Sequence, residues 1–278
     1  MINLYTNSCY KASKLITNQY STSFSLGIGL FDKSIRPSIY AIYGFVRLAD
    51  EVVDSFYDYD QQELFDQLKS DYANAIRDGI SLNPIINSFQ EVVNRYNLHP
   101  YVEAFLDSME LDLNKKDYNS NEEFENYIYG SACVVGLMCL KVFVNGDEDE
   151  FQNLKPYAMK LGSAFQKVNF LRDYNYDSVK LGRSYFPKIE SFNFDDTNKT
   201  EIIQNIKSDF REALEGISKL PDNSRLGVYV AYKYYLTLLK KLSTLEVKNI
   251  IAHRVRISNF QKMYILKKSL IRYNLNVL

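Results

Sequence analysis

The residues most able to do chemistry lie on one face of an apolar helix predicted near 39–54. In chain order they are Tyr43, Arg47, Asp50 and Asp54. Their spacing of i, i+4, i+7 and i+11 aligns them along one stripe of a helix. The other faces are apolar, as in a buried helix, and buried carboxylates without partners are costly and tend to take up a proton. The two aspartates therefore indicate a cation beside this helix.

A second stripe repeats this arrangement near 161–177. It carries Gln166, Asn169, Asp173 and Asp177. A single pair of aspartates one turn apart is usually a solvated face, where an ion pair contributes under ~1 kcal/mol. Two such stripes, each in a helix too apolar for the surface, are harder to explain in that way, and a shared site is then an equal alternative. Mg²⁺ ions that bridge carboxylate and phosphate oxygens would neutralise a leaving diphosphate there.

Cysteine and histidine are too scarce to support most other chemistry. The cysteines are Cys9, Cys133 and Cys139, and the histidines are His99 and His253. An odd number of cysteines without paired spacing argues against a disulfide framework or a zinc site and is typical of a reducing cytosol. The second and third cysteines lie in an apolar stretch and are expected to be small core residues. Any metal is expected to be a hard cation held by oxygen.

The overall charge gives no case for a nucleic-acid partner, because 33 basic and 34 acidic side chains nearly cancel. Residues 1–15 lack the apolar core of a secretory signal. The longest uncharged apolar run, 132–140, is nine residues long, whereas a spanning helix needs about 20. We expect a cytoplasmic protein that touches a membrane at most peripherally.

The sequence predicts one all-α domain spanning residues 1–278. Only 11 Gly and 6 Pro are spread along the chain, which suits long helices, and the alternation typical of strands is hard to find. Pro and Gly at 84, 100, 146 and 221 punctuate the helical segments. The predicted helices lie near 34–57, 60–78, 84–97, 100–114, 121–145, 148–178, 199–218, 223–244 and 259–273.

Around the two stripes the sequence resembles the squalene/phytoene synthase family. In chain order, the matching segments are 21–24, 47–54 (RLADEVVD), 127–132, 166–177, 182–187 (GRSYFP) and 254–257. Segments 47–54 and 166–177 are similar to the two aspartate-rich motifs of the family. Because the matches keep the family's order over most of the chain, they are specific when taken together. Segments 109–113 and 135–138 are more similar to bacterial phytoene synthases than to squalene synthases.

The resemblance implies an isoprenoid synthase fold, in which the two acidic helices face each other across a central apolar cavity. By the motif match, the ligands of Mg²⁺, or of Mn²⁺ in its place, would be Asp50, Asp54, Asn169, Asp173 and Asp177. The four aspartates would be the catalytic residues. Phosphate oxygens would be bound by Arg47, Arg183 and Arg254, since guanidinium groups stay charged and pair in bidentate fashion. Substrate would also contact Ser21, Tyr43, Tyr127, Gln166 and Tyr235.

The resemblance also implies a reaction, the head-to-head joining of two prenyl diphosphates. One substrate loses diphosphate, the double bond of the other attacks the cation, and a cyclopropyl diphosphate forms. A second ionisation and rearrangement give the hydrocarbon. With geranylgeranyl diphosphate the product would be phytoene, formed by proton loss without NADPH. Such cations survive only in a dry apolar cavity.

Three positions depart from the family pattern. Glu51 stands where many members have a second aspartate, and its longer side chain is left out of the ligand set. Arg183 lies six residues after Asp177, one more than in many relatives. The spacing from Tyr235 to Arg254 is also longer than in many relatives. The assignments of Arg183 and Tyr235 therefore match the family pattern less closely than the other assignments do.

Other functions remain open at this point. A squalene or dehydrosqualene synthase would use the same residues on farnesyl diphosphate, and a non-catalytic scaffold would keep the fold alone. A chain-elongating prenyl diphosphate synthase would show adjacent aspartates in its second motif, where this chain has Asp173-Tyr174.

The C-terminal segment 247–278 has seven Lys or Arg and no acidic residue. Basic side chains between apolar ones could rest on an anionic membrane surface. The alternative is an ordinary solvated face of a terminal helix.

Overall fold

The computed structural model describes residues 2–115, 118, 120–175, 185–187 and 194–275. Within these ranges every regular element is helical, so the predicted all-α fold class is confirmed. The α-helices are α1 (Ile2–Tyr20), α2 (Thr22–Ile28), α3 (Arg36–Asp54), α4 (Gln61–Asp78), α5 (Pro84–Tyr96), α6 (His99–Asn114), α7 (Asn121–Ile128), α8 (Val134–Phe143), α9 (Glu148–Asn175), α10 (Asp196–Lys219), α11 (Asp222–Thr244), α12 (Val247–Ala252) and α13 (Asn259–Asn274). A π-helical turn, Tyr129–Cys133, joins α7 to α8.

Capping side chains set several of these boundaries where the sequence predicts them. Asp60 begins α4 by accepting a hydrogen bond from the backbone N–H of Glu63 at 3.0 Å. Asn83 begins α5 in the same way, by accepting a hydrogen bond from the backbone N–H of Ile85 at 3.0 Å. Pro84 lies in the first turn of this helix. Such side chains satisfy N–H groups that the first turn of a helix leaves free. At the other end of α4, Gly79 adopts a left-handed φ of 71°, which glycine reaches without steric cost.

The N-terminal helices α1 and α2, and the short α12, are absent from the sequence prediction. The buried face of α1 consists of Cys9, Ser13 and Thr17, which are small and mostly polar. Hydrophobic periodicity cannot detect such a face. It is buried because α1 approaches α3 closely, with the side chain of Ser13 against Gly44.

The predicted helix 121–145 is interrupted by the π-helical turn. This turn packs against α6, and Gly130 in its centre faces Ser108 and the carbonyl of Ala104. A π turn places one extra residue in the helix and often occurs at functional sites. The close approach to α6 requires a residue without a side chain at position 130. The apolar pattern carries no information on contacts between helices, so it did not predict the break.

Helix α3 is held in place by an aromatic core on its far side. Phe45 is fully buried and stacks on Phe89 of α5 with ring centroids 4.1 Å apart. Phe105 of α6 and Tyr72 of α4 complete this cluster. Because the core takes this face of α3, the stripe of Tyr43, Arg47 and the aspartates must face elsewhere.

Helix α9 is fixed by a buried ionic cluster. Lys167 and Asp209 of α10 form an ion pair of 3.0 Å, and their side chains are 5% and 6% exposed. Ser163 donates a hydrogen bond to Asp209 at 3.0 Å, and Asn205 accepts one from Lys167 at 2.9 Å. A buried pair of this kind is costly to break, so it holds α9 in one rotation about its axis.

One helical stretch, Asn121–Phe143, is long and apolar enough to cross a membrane by length and composition. In this protein 61% of its apolar window is buried against other helices. The core helix of a soluble protein passes the same test, so the stretch is weak evidence of a membrane span.

We expect Gly130→Ala to destabilise the fold through the contact between the π turn and α6. A Cβ atom at this position would lie 2.6 Å from Cβ of Ser108 and 2.8 Å from the backbone oxygen of Ala104. Overpacking of this kind costs about 1–3 kcal/mol, which urea unfolding followed by circular dichroism would measure. Gly136→Ala is the matched control, because its nearest neighbour would be 3.4 Å away. Equal stability of the two variants would contradict the role of Gly130.

Candidate active site

Helices α3 and α9 face each other across a cavity of about 970 Å³. It is lined along α9 from Leu154 to Asn175 and along α3 from Ile39 to Asp54. At about 1.5 Å per residue, these stretches correspond to roughly 32 Å and roughly 23 Å of helix. The cavity is therefore elongated along both helices. Cys139, expected in the core, is partly buried and lines the cavity as well.

Eleven of the predicted site residues line this one cavity. They are Ser21, Tyr43, Arg47, Asp50, Asp54, Tyr127, Gln166, Asn169, Asp173, Tyr235 and Arg254. The remaining two, Asp177 and Arg183, lie outside the described residues. The predicted stripes of α3 and α9 thus meet in one space, while the individual roles of their residues remain predictions.

The charged residues gather at the C-terminal ends of both helices. Asp50 and Asp54 lie in the last two turns of α3, and Asp173 lies in the last turn of α9. The C-terminal end of a helix carries the negative end of its dipole. Carboxylates placed there add to that negative potential, so this end of the cavity favours cations.

The pKa of Asp50 responds to burial and to the neighbouring carboxylate. Its pKa is raised to about 7, first by burial and then by the neighbouring carboxylate of Asp54, against the opposing effect of Arg47. Its side chain is 31% exposed, and it lines the cavity. The nearby positive charge is therefore insufficient to keep Asp50 as acidic as an ordinary aspartate.

Asp173 is held by two arginines. Arg172 donates hydrogen bonds to both carboxylate oxygens of Asp173, at 3.0 Å from Nε to Oδ1 and at a shorter distance from Nη2 to Oδ2. Arg254 makes a second bidentate contact, at 2.7 Å from Nε to Oδ1 and 3.2 Å from Nη2 to Oδ2. Arg254 comes from the segment between α12 and α13, so this contact ties the C-terminal part of the chain to the charged end of the cavity.

Arg47 has a donor available for a ligand. Its Nη2 pairs with Glu51 and its Nη1 lies 3.8 Å from Asp50. Its Nε atom is buried and has no hydrogen-bond partner among the described residues. The guanidinium also lies over the ring of Tyr20, 4.5 Å from its centroid. An unpartnered buried donor is costly, so an acceptor in the cavity would stabilise it. Glu51 itself does not appear among the lining residues.

A chain of polar side chains runs across the cavity wall. Tyr235 donates to Oδ1 of Asn169 at 3.3 Å, and the amide of Asn169 lies 3.5 Å from Gln166. Gln166 in turn lies 3.4 Å from the hydroxyl of Ser131. Tyr235 also stacks on Phe165 with centroids 3.9 Å apart. Tyr235 therefore occupies the predicted wall despite its unusual spacing in the sequence.

The Tyr43 and Ser21 side chains meet at the start of α2. Ser21 caps that helix by accepting from the N–H of Phe24 at 3.2 Å. Burial raises the pKa of Tyr43 to about 12, and a hydrogen bond with Ser21 partly opposes the rise. Tyr43 therefore remains a neutral phenol at physiological pH.

Tyr127 contacts a buried carboxylate that the sequence did not assign. Its hydroxyl donates to Oδ2 of Asp112 at 2.7 Å, and Asp112 lines the cavity. Burial, and then Asp112, raise the pKa of Tyr127 well above its ordinary value. The ring packs beside the stacked pair of Tyr185 and Phe170, whose centroids lie 5.5 Å and 6.0 Å from its own. Tyr127 is thus a rigid, protonated phenol at the cavity wall.

Eight further polar residues of the cavity were not assigned from the sequence. They are Tyr20, Ser55, Asp112, Ser131, Tyr157, Arg172, Asn175 and Tyr185. Asp112 and Ser131 belong to segments that support the family resemblance. Neither stands at the helical spacing that aligns the residues of the two acidic stripes. Arg172 directly precedes Asp173, and its contact with that neighbour depends on side-chain direction rather than on helical spacing.

The oxygen donors of the cavity fit a hard divalent cation. Asp50 and Asp54 offer carboxylates from one wall, and Asp173 and Asn169 offer oxygens from the other. Among the described residues, no group of three or more His, Cys, Asp or Glu is close enough to form a complete metal cage. Mg²⁺ is usually held by one or two carboxylates together with substrate phosphates, so an open site of this kind suits it.

The helical fold around this cavity is that of the terpenoid synthases. The sequence model described as squalene/phytoene synthase matches residues 17–195. The chain belongs to this family.

Known relatives and structures agree with that assignment. The chain is 28% identical to phytoene synthase from Arthrospira platensis, over 95% of this chain and 93% of that protein. It is 25% identical to 4,4'-diapophytoene synthase from Staphylococcus haemolyticus, over 77% of this chain and 75% of that one. The structure of a ligand-bound dehydrosqualene synthase superposes with a TM-score of 0.79 at 20% identity, over 97% of this chain and 98% of that one. At 20% identity, the comparison with this structure shows a shared fold and carries no argument about function.

We expect Asp50→Asn to flatten the pH dependence of stability of the metal-free protein. The folded state raises the pKa of Asp50 from 3.8 to about 7, so it binds this proton more tightly than the unfolded chain does. Wild-type stability should therefore fall as the pH rises from about 4 to about 7, and then level off. The asparagine variant should lose this part of the decline.

Urea unfolding in EDTA across this pH range would measure the effect. Asp66→Asn, at an exposed carboxylate of α4, is the control and should keep the wild-type profile. Parallel profiles of the wild type and Asp50→Asn would show that the Asp50 carboxyl is not perturbed.

Proposed function

We propose that this chain joins two geranylgeranyl diphosphates head to head to form phytoene. The observation that carries the proposal is the division of a single cavity into a charged end and a long apolar remainder. A prenyl diphosphate has the same division, with a charged head and an apolar tail. The relative from Arthrospira platensis, which matches nearly the full length of this chain, is a phytoene synthase.

The proposed metal is Mg²⁺, with Mn²⁺ as the alternative. The residues that would hold it are Asp50, Asp54, Asn169 and Asp173, together with Asp177 by the motif match. When bound, such ions neutralise the charge that develops on a departing diphosphate. The raised pKa of Asp50 supports this role, because a cation beside it would favour its charged form.

The arginines would bind the diphosphate directly. The buried Nε of Arg47 points to an acceptor that the described residues do not supply, and a phosphate oxygen is such an acceptor. Arg172 and Arg254 already lie at the same end, on Asp173. Arg183 is expected to join them from its place in the motif.

The proposed reaction balances without a reductant. Breaking the C–O bond of one substrate releases diphosphate, and the double bond of the second substrate attacks the cation. Loss of a proton closes the cyclopropane. The second ionisation releases the second diphosphate, and loss of another proton after rearrangement gives phytoene. NADPH is therefore not required, whereas formation of squalene needs a hydride in place of the last proton loss.

The length of the cavity supports a twenty-carbon substrate. Sixteen residues of α9 separate Asp173 from Tyr157, or roughly 24 Å along the helix. An extended twenty-carbon prenyl chain is about 19 Å long, and a fifteen-carbon chain about 14 Å, if each ~1.5 Å bond advances the chain by roughly 1.25 Å. Towards the deep end, Tyr157 packs against Gly216, too close for any side chain at 216, and Leu154 lines the cavity one turn further on. This length supports the proposal of the longer chain.

A synthase that acts on farnesyl diphosphate is the second candidate. The relative from Staphylococcus haemolyticus is a 4,4'-diapophytoene synthase, and the solved structure with the 0.79 TM-score is a dehydrosqualene synthase. A non-catalytic scaffold is the least favoured candidate, because the charged end keeps its aspartates and arginines. We also propose a cytoplasmic location.

Incubation with each substrate tests the proposal. With Mg²⁺ and geranylgeranyl diphosphate, without NADPH, extraction should yield phytoene. Asp50→Asn and Asp173→Asn should each lower turnover at least a hundredfold with unchanged circular dichroism, while the surface variant Asp66→Asn should retain wild-type activity. A product formed only from farnesyl diphosphate would transfer the assignment to the second candidate. Normal activity of both site variants would refute the site.

Ala158→Phe tests the chain-length argument separately. Ala158 lines the cavity fifteen residues before Asp173, roughly 22 Å away along α9. A phenyl ring there should obstruct the last unit of a twenty-carbon tail but leave room for fifteen carbons. We expect turnover of geranylgeranyl diphosphate to fall at least tenfold relative to farnesyl diphosphate. Ala158→Ser is the control of similar size. An equal effect on both substrates would mean that the tails do not extend along this part of α9.

A further inference from the structure

The outward face of α13, together with Leu275 directly after the helix, carries a group of exposed apolar side chains. They are Phe260, Met263, Tyr264, Ile271 and Leu275. Phe260 is 83% exposed and Tyr264 is 61% exposed. These five make up one third of the fifteen large apolar residues that are exposed in the described chain. We call this group the α13 stripe.

The α13 stripe follows from the helical spacing of its members. Positions 260, 264, 271 and 275 are separated by four, seven and four residues, which aligns them on one side of a helix. The opposite side packs on α11, with Ser269 buried and the backbone oxygen of Lys262 bonded to Tyr234. An ordinary surface helix has one apolar face, directed to the core. Helix α13 has a second one, directed outward.

Positive charge lies within and beside the α13 stripe. Lys267 and Lys268 are exposed on the same side of the helix, and segment 247–275 has no acidic residue. Desolvation lowers the pKa of Lys233 on α11, and the charges of Arg272 and Lys268 lower it further. Only the smaller part of this shift, from Arg272 and Lys268, reflects positive charge around the helix.

The α13 stripe begins beside the charged end of the cavity. Phe260 follows Arg254, which binds Asp173, by six residues. The ammonium of Lys262 donates to the hydroxyl of Thr22 at 2.8 Å, and the neighbouring Ser21 lines the cavity. A surface bound by the α13 stripe would therefore lie close to the entrance for a charged substrate head.

We propose that the α13 stripe binds the surface of an anionic phospholipid bilayer. Apolar and aromatic side chains would enter the headgroup region, and Lys267 and Lys268 would contact anionic headgroups. A second copy of this chain is a poorer partner. In a twofold dimer the same patch meets itself, so the lysines of the two copies would face each other and repel.

Cosedimentation with vesicles tests this proposal without any substrate. We expect the wild-type protein to bind vesicles of 30% phosphatidylglycerol in phosphatidylcholine, with binding that weakens as salt rises. It should bind pure phosphatidylcholine at least tenfold less. Because the assay needs no turnover, its failure is distinguishable from failure of the proposed function.

Two double variants separate the contribution of the lysine charges from that of the apolar side chains. Lys267→Gln with Lys268→Gln should lower binding to anionic vesicles about tenfold or more, and Phe260→Asn with Ile271→Asn should do the same. The controls are Lys11→Gln, on the exposed side of α1, and Leu82→Asn, at a site 94% exposed in the loop before α5. Both should bind as the wild type does. Unchanged circular dichroism would exclude unfolding.

Three outcomes would overturn the proposal. One is a lack of wild-type binding to anionic vesicles. Another is binding that neither pair of α13 variants changes. The third is a dimer, detected by light scattering, that Phe260→Asn with Ile271→Asn abolishes while vesicle binding is unaffected, since the α13 stripe would then be a contact between copies.

Discussion

The negative charge that α3 and α9 bring into one cavity is the constraint on which the rest of the site depends. Asp50 and Asp54 lie one turn apart on α3, and burial, followed by the charge of Asp54, raises the pKa of Asp50 to about 7. Arg47, Arg172 and Arg254 line the same end of the cavity and oppose this charge. A bound diphosphate would add more negative charge, and cations beside it would offset that addition. The proposed metal would supply such cations.

The two acidic faces meet because other contacts fix the rotation of each helix. On α3, the stacking of Phe45 on Phe89 takes the opposite face into the aromatic core. On α9, the buried pair of Lys167 and Asp209 anchors the side away from the cavity. A rotation of either helix would require breaking a packed core or uncovering a buried charge, both of which are costly. The geometry of the charged end is thus set by residues that never contact the cavity.

The fold class and much of the charged end could be predicted from the sequence because charge on an apolar helix is a strong periodic signal. The stripe that contains Asp50 is visible without any structure. Helix α1 was missed because its buried face is made of small polar residues such as Ser13. Asp112 was left unassigned because its pairing with Tyr127 joins two helices, and helical spacing carries no information on contacts of that kind.

The deep end of the cavity explains why family membership leaves the substrate length open. In the proposed reaction the aspartates and arginines would act on the diphosphate, which is the same group on a fifteen-carbon and a twenty-carbon substrate. The tail would be met instead by small residues, such as Ala158 and Gly162 on α9, and by Tyr157 where it packs against Gly216. These positions carry no charge pattern, and a single added side chain there would change the available length. Selection between the two substrates would therefore be decided by the packing of helices at the deep end, while the charged end could stay the same throughout the family.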